Sequence, residues 1–218
     1  MTRVQRKRTV LLRRQEVMDR ASFGRHWLTD HAALALRLPG LVRYVQNHVI
    51  RELFCLTGRW CGHDGIAEIT YADDEALARA QSGHLGTHLL PADERRFLSE
   101  WTGMVTSPSK ALDPAASSKT ILLLNPRDRL ATRPPRLTKL RRVLPPGAQI
   151  EAEMVQAVLS RVSLPADPIR PQMIVYIQGL EPDPWRERPA LRSAVADLVG
   201  PLGDAVAYQV DERVLCGS

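Results

Sequence analysis

Hydrophobic period switches repeatedly between two and roughly three and a half residues over the first hundred positions, and that order of switches restricts the fold most. Thr9-Val10-Leu11-Leu12 is β-branched and apolar and reads as a short strand. A helix follows, with Asp19 as its N-cap and Pro39-Gly40 as its stop. Phe23, Trp27, Leu34 and Leu38 recur along it at helical spacing, and His31 falls on the same stripe. Residues 41–53, with Val42, Tyr44, Val45, Val49 and Ile50, predict a long strand, and Gly58 and Gly62 break the pattern after it. Gly65 to Tyr71 predicts another strand, with Ile66 and Ile69 on opposite faces. Asp73-Asp74 caps a helix through Ala80, Pro91 opens a short one through Leu98, and Met104 to Thr106 predicts a last strand. The order β-α-β-β-α-β defines an α+β, ferredoxin-like unit: a four-stranded antiparallel sheet with helices on one face. The bare face needs a cover, and a second such sheet provides one.

The rest of the chain leaves two readings open. Residues 107–118 are rich in Ser, Ala and Pro and read as a linker between a first domain at 1–106 and a second at 119–218. Thr120-Ile121-Leu122-Leu123 nearly repeats Thr9 to Leu12. Helical signals follow at Leu137 to Leu144 and Glu151 to Val162, then a strand at Met173 to Gln178, a helix at Leu191 to Val199 and a strand at Ala205 to Val210. This is either a second, divergent ferredoxin-like copy or something else. The weak point is its second strand, since Pro165, Pro168 and Pro171 do not suit a central position.

Composition removes several function classes. No apolar run approaches the length of a bilayer span, and no signal-peptide core follows the basic N-terminus. Cys55, Cys61 and Cys216 are too few for a disulfide framework, so a cytoplasmic protein is expected. The net charge of +6 is concentrated in a run from Arg3 to Arg14 and a cluster from Arg127 to Arg142. With aromatics at only 5% and no zinc-finger or RNP pattern, these read as a flexible basic terminus and a solvated helix face, not a nucleic-acid surface. Cys55, Cys61 and His63 lack a zinc spacing, and no phosphate loop, nucleophile elbow or heme signature is present, so neither metal nor cofactor is expected.

Four motifs carry a family resemblance. Phe23-Gly24-Arg25-His26-Trp27, with His31-Ala32 behind it, resembles the F-x-x-H-W-x-x-x-H-A helix of EthD-like proteins. Leu38-Pro39-Gly40-Leu41 with Tyr44-Val45-Gln46-Asn47, then Asp64-Gly65-Ile66-Ala67-Glu68, then Asp93-Glu94 with Phe97, are similar to that family's further motifs, in order. The resemblance covers residues 7 to about 106 and nothing beyond. It implies a bacterial-type dimeric α/β barrel, formed by a homodimer or by an intrachain pseudo-dimer, with a small hydrophobic organic molecule as partner. Relatives include cyclases, isomerases, decarboxylase-like and heme-linked proteins, so the fold implies a pocket more firmly than a reaction.

His31 is the first candidate for chemistry, because imidazole near neutral pH is a ready acid or base. The alternative is a core histidine bonded to a backbone carbonyl. His26 lines the same cleft or reaches solvent. Asn47 and His48 are adjacent on a strand and face opposite sides; Asn47 orients a substrate carbonyl or anchors the sheet, and His48 assists proton transfer. Tyr44 shares the His48 face, and with Phe23 and Trp27 forms a pocket wall or plain core. Glu68, in an apolar strand, pairs with a base or serves as an acid. Asp93 and Glu94 are expected to favour the helix dipole only. Together these predict cofactor-free proton-transfer chemistry (isomerisation, cyclisation, dehydration or decarboxylation) on an oxygenated organic compound. The alternative is a non-catalytic ligand-binding or accessory protein to an oxygenase pathway.

Overall fold

The computed structural model describes residues 5–58, 60, 62–107, 118–126, 137–168, 170–180 and 189–217. Eight strands form the frame: β1 (Arg6–Arg14), β2 (Leu41–Cys55), β3 (Gly65–Tyr71), β4 (Leu98–Thr106), β5 (Lys119–Asn125), β6 (Gln149–Leu159), β7 (Met173–Gln178) and β8 (Asp204–Cys216). They close into a barrel in the order β1-β3-β2-β8-β5-β7-β6-β4. The first four strands therefore lie as β4-β1-β3-β2 and the last four as β8-β5-β7-β6. The long β2–β8 ladder and the shorter β6–β4 ladder join the two sets. Every pairing is antiparallel, and closure leaves no open sheet edge.

Alternation along each strand sorts the core into three clusters. From β1, Val10 and Leu12 point outward and pack with Phe23, Trp27, Tyr44, Ile69 and Phe97 beneath the first set of helices. Leu11 points inward and packs with Ile66, Met104, Ile121, Tyr176 and Tyr208 from around the barrel. A third cluster, including Leu122, Val175 and Val195, lies under the second set. The interior of the barrel is packed side chain.

The helices over the first set are α1 (Arg20–His26), α2 (Ala32–Ala35), α3 (Asp74–Ser82) and α4 (Leu90–Phe97); α5 (Thr138–Val143) and α6 (Pro189–Val199) cover the second. Asp19 caps α1 as its sequence predicts, accepting from the Ser22 N–H at 2.7 Å. Gly40, at a φ of 69°, turns the chain from this layer into β2. No helix among the described residues is long and apolar enough to cross a membrane.

Three expectations are corrected. Residues 151–159, within the stretch from Glu151 to Val162 read as helical, are the body of β6. Pairing on both sides, to β7 and then to β4, overrides a local helix preference. The proline-bearing stretch is accordingly not the second strand of its half. It runs beside β4, where the Pro165 carbonyl accepts from the Trp101 N–H at 3.0 Å and the Asp167 N–H donates to the Thr102 hydroxyl at 2.7 Å. The basic N-terminal run is not a flexible solvated tail throughout: Lys7 and Arg8 are buried in β1. Residues 108–117 of the expected linker, Arg127 to Arg136 of the second basic cluster, and Cys61 lie outside the described residues.

Candidate active site

Between α1 and α2 the helix widens into a π turn, Trp27–His31. On a regular α-helix, residues five apart diverge by about 140°. A π turn bonds i to i+5 and brings them to one side. His26 and His31 thereby reach the same partner, Asp93 on α4. His26 Nε2 lies 3.0 Å from one carboxylate oxygen, and His31 Nδ1 lies 2.9 Å from the other. The Phe97 ring packs against both imidazoles, with centroids 4.7 Å from His26 and 5.2 Å from His31. Asp30 adds a contact of 3.2 Å to His26 Nδ1. Burial alone would push the Asp93 carboxyl up. The bond and field of His31, then those of His26, outweigh it and hold the carboxyl below its usual range. An ionised Asp93 accepts from Nδ1–H of His31 and so leaves Nε2 as the basic nitrogen.

His31 also lines a cavity of ≈ 20 Å³ between the helices and the outer face of the first four strands. Room exists for about one water-sized group. Trp27, Tyr44, Trp101, Arg8 and Glu94 line it too. The Tyr44 hydroxyl is fully buried and its pKa is raised, chiefly by burial, so it stays protonated; it accepts from Gln46 Nε2 at 2.9 Å. Glu94 gives one oxygen to Arg161 at 2.6 Å, and Arg161 also donates to the Gly86 carbonyl at 2.7 Å. A porphyrin far exceeds this volume.

The other predicted residues divide between two sites. Phe23 and Trp27 pack in the core beneath α1 with tilted rings, centroids 5.6 Å apart, and Trp27 borders the cavity while Phe23 does not. His48 is partly buried beside Trp27, with ring centroids 4.5 Å apart, and bonds the Gln46 side chain at 3.0 Å. Burial lowers its pKa, against the pull of Asp211. Asn47 and Glu68 do not join His31: they face the barrel interior, because strand alternation puts them opposite Tyr44 and His48. The expectation that Asn47 orients a substrate carbonyl beside His31 is therefore corrected, and the sheet-anchoring alternative fits. Asn47 Nδ2 donates to Glu68 Oε1 and to the Ile66 carbonyl, each at 2.9 Å. Glu68 is not a substrate contact in this cavity either; it pairs with Lys7 at 2.5 Å and Lys119 at 2.7 Å. Lys7 further contacts Glu153, and Lys119 contacts Glu212. The lysines outweigh burial and hold the Glu68 carboxyl far below its usual range. Burial would lower Lys7, yet Glu68 and Glu153 raise it.

His63, weighed with the cysteines as a metal ligand, instead bonds Tyr208 at 2.8 Å and lies 3.2 Å from Asp167. Asp93 and Glu94 exceed the helix-dipole role expected of them. Their signal in sequence was two acids on the buried side of a short helix, followed by Phe97. Arg8 went unread for a different reason: it was counted with its basic neighbours, although Val10 and Leu12 on the same strand face mark that face as core.

The fold and this site define a closed α/β barrel with a helix-covered cavity, assembled from strands in ferredoxin-like order. Residues 15–100 match the family model of the EthD domain, which bears out the resemblance carried by the motifs. No curated protein matches the chain. Among solved structures, an anthrone oxidase-like protein aligns at a TM-score of 0.60 and 12% identity, covering 98% of this chain and 96% of that one. A putative monooxygenase from Fusobacterium nucleatum aligns at 0.56 and 7% identity over 100% and 98%. A mutant chlorite dismutase from Candidatus Nitrospira defluvii aligns at 0.50 and 7% identity over 95% and 91%. At such identities these likenesses establish the shared fold.

Proposed function

We propose that the chain is an EthD-type enzyme that moves a proton on a small oxygenated organic compound, without a cofactor, in the cavity between the α1–α4 layer and the sheet. One observation carries the reading: His31 has Nδ1 held by an ionised carboxylate and sits at the wall of a cavity. That is the arrangement of an oriented general base. Asp93 fixes the ring, His26 shares that carboxylate, and Trp27 and Tyr44 wall the space. Isomerisation, cyclisation, dehydration and decarboxylation all use such a base. The two sets of four strands support a further part of the proposal: residues 1–106 and 119–218 are tandem ferredoxin-like domains joined at 107–118, and one chain closes the barrel that others close as a dimer. The small cavity volume favours a second reading, a ligand-binding or accessory protein that retains one small group without turnover.

The test is solvent-deuterium incorporation into a panel of small enolisable carbonyl compounds, read by mass spectrometry. The proposal expects at least one compound to exchange with the wild-type protein and not with His31→Gln, whose circular dichroism remains unchanged. Equal exchange by both proteins removes His31 from the mechanism, and exchange by neither favours the non-catalytic reading.

A further inference from the structure

The chain has six histidines, and four are engaged: His26 and His31 by Asp93, His48 by Gln46 and His63 by Tyr208. The remaining two, His84 and His88, stand together on the surface. His84 caps a second π turn, Leu85–Leu89, and His88 lies within it; the turn runs directly into α4. Residues four apart on a helical backbone are neighbours on one face. The two rings accordingly stack, with centroids 4.9 Å apart and planes inclined by 25°. Among the described residues no third histidine, cysteine or carboxylate completes a cluster with them.

Thr87 sets the tautomer of one ring. Its hydroxyl has a single proton and donates it to the Gly83 carbonyl at 2.9 Å. In the 2.7 Å contact between the same oxygen and His88 Nδ1, the donor is therefore Nδ1–H. A neutral His88 then carries its free lone pair on Nε2. Holding one ring nitrogen by an outer acceptor while the other stays bare is how metal-ligating histidines are oriented. His84 has no hydrogen-bond or ion-pair partner among the described residues, so its ring is free to turn toward the same point.

We infer that His84 and His88 form a two-histidine site for a divalent transition-metal ion such as zinc, with water in the remaining positions. Two histidines at i and i+4 on one helical face are the pairing that chelates zinc in helical metal motifs. Imidazole suits zinc, copper and nickel, whereas magnesium and calcium call for oxygen ligands. With zinc–nitrogen bonds of about 2.0–2.1 Å, tetrahedral ligation puts the two nitrogens roughly 3.3 Å apart. Rotation of two exposed side chains reaches that spacing, and nothing packed has to move. Chelation from one backbone raises affinity by about 10²-fold over a single imidazole, the lower end of the range for linked ligands. The ion braces the turn that leads into α4 and so to Asp93. The site is separate from the His31 cavity and does not depend on the reaction proposed there.

The experiment is a titration of the whole chain, without a histidine tag and labelled with 15N-histidine, with zinc chloride alone near neutral pH. One zinc per chain is expected, moving the ring nitrogens of His84 and His88 while those of His26, His31, His48 and His63 stay in place. His84→Asn and His88→Asn, both at exposed positions, are each expected to lower the affinity about 10²-fold. Thr87→Val is expected to weaken binding about tenfold and to lose the Nδ1–H preference of the metal-free His88 ring, with Thr87→Ser restoring both. Equal affinity in the wild type and either histidine variant overturns the inference, since the ion is then held adventitiously by a single histidine. Zinc that moves the other four rings in place of this pair, or that moves none, also overturns it. An unchanged His88 tautomer in Thr87→Val overturns the positioning role of Thr87.

Discussion

Glu68→Gln is the sharpest stability test of the barrel interior. The wild-type carboxylate receives Lys7 at 2.5 Å, Lys119 at 2.7 Å and Asn47 at 2.9 Å. A glutamine keeps the shape but offers one carbonyl oxygen, so its NH2 group must face an ammonium or the Asn47 amide, donor against donor. Two charge-assisted bonds are weakened, each worth about 1.5–3 kcal/mol. Lys7 retains Glu153 and Lys119 retains Glu212, which limits the damage. The expected loss is about 3 kcal/mol, the lower end of the range for breaking a buried pair. In a chain of this size that lowers Tm by about 6–12 °C. Urea unfolding at pH 7 measures it. The pH dependence adds a sign. The folded Glu68 pKa is depressed, so its contribution is present above the unfolded value of 4.5 and is lost as pH falls through the folded value. The gap between wild type and Glu68→Gln should therefore narrow in acid. A variant within about 0.5 kcal/mol of wild type at pH 7, the scatter of ordinary surface changes, refutes the claim that this network is a tightly coupled buried unit.

Two further outcomes are expected. Asp93→Asn should lower proton-exchange activity by about 10²-fold or more, since the imidazole loses its orienting carboxylate. It should also abolish the part of the acid stability slope that wild type shows below the usual aspartate value of 3.8, because the folded Asp93 pKa is depressed; activity assays and pH-dependent urea melts read the two effects. Gly65→Ala should cost about 1–3 kcal/mol by overpacking, since a Cβ there would lie 2.5 Å from Trp27 Cζ3; thermal denaturation measures it.

Much of the first half was legible because its elements are local. Asp19, Pro39-Gly40 and Asp73 are capping and stop signals whose physics acts within a few residues, and the strand at Gly65 to Tyr71 falls where its alternation puts it. The strand at 149–159 was not legible, because what makes it a strand is two partners distant in sequence, Gln149 to Met154 against β7 and Val155 to Leu159 against β4. The site was half legible for the same kind of reason. His31 stood out on an apolar helical stripe. The π turn that lets His26 share Asp93 with it has no single-residue signature, and a regular helix would have separated the two rings. Asn47 and His48 were correctly divided between two faces, but only the closed barrel shows that the Asn47 face meets Lys119 and Glu212 from the other end of the chain, with Glu68 between them.

The central claim is that His31 offers a bare Nε2 because Asp93 holds Nδ1–H. Nitrogen chemical shifts of the His31 ring in protein labelled with 15N-histidine test it directly. The account predicts that the neutral ring carries its proton on Nδ1 and leaves Nε2 bare, and that this tautomer preference is lost in Asp93→Asn. A neutral wild-type ring with its proton on Nε2 contradicts it, since Asp93 would then not be holding Nδ1–H.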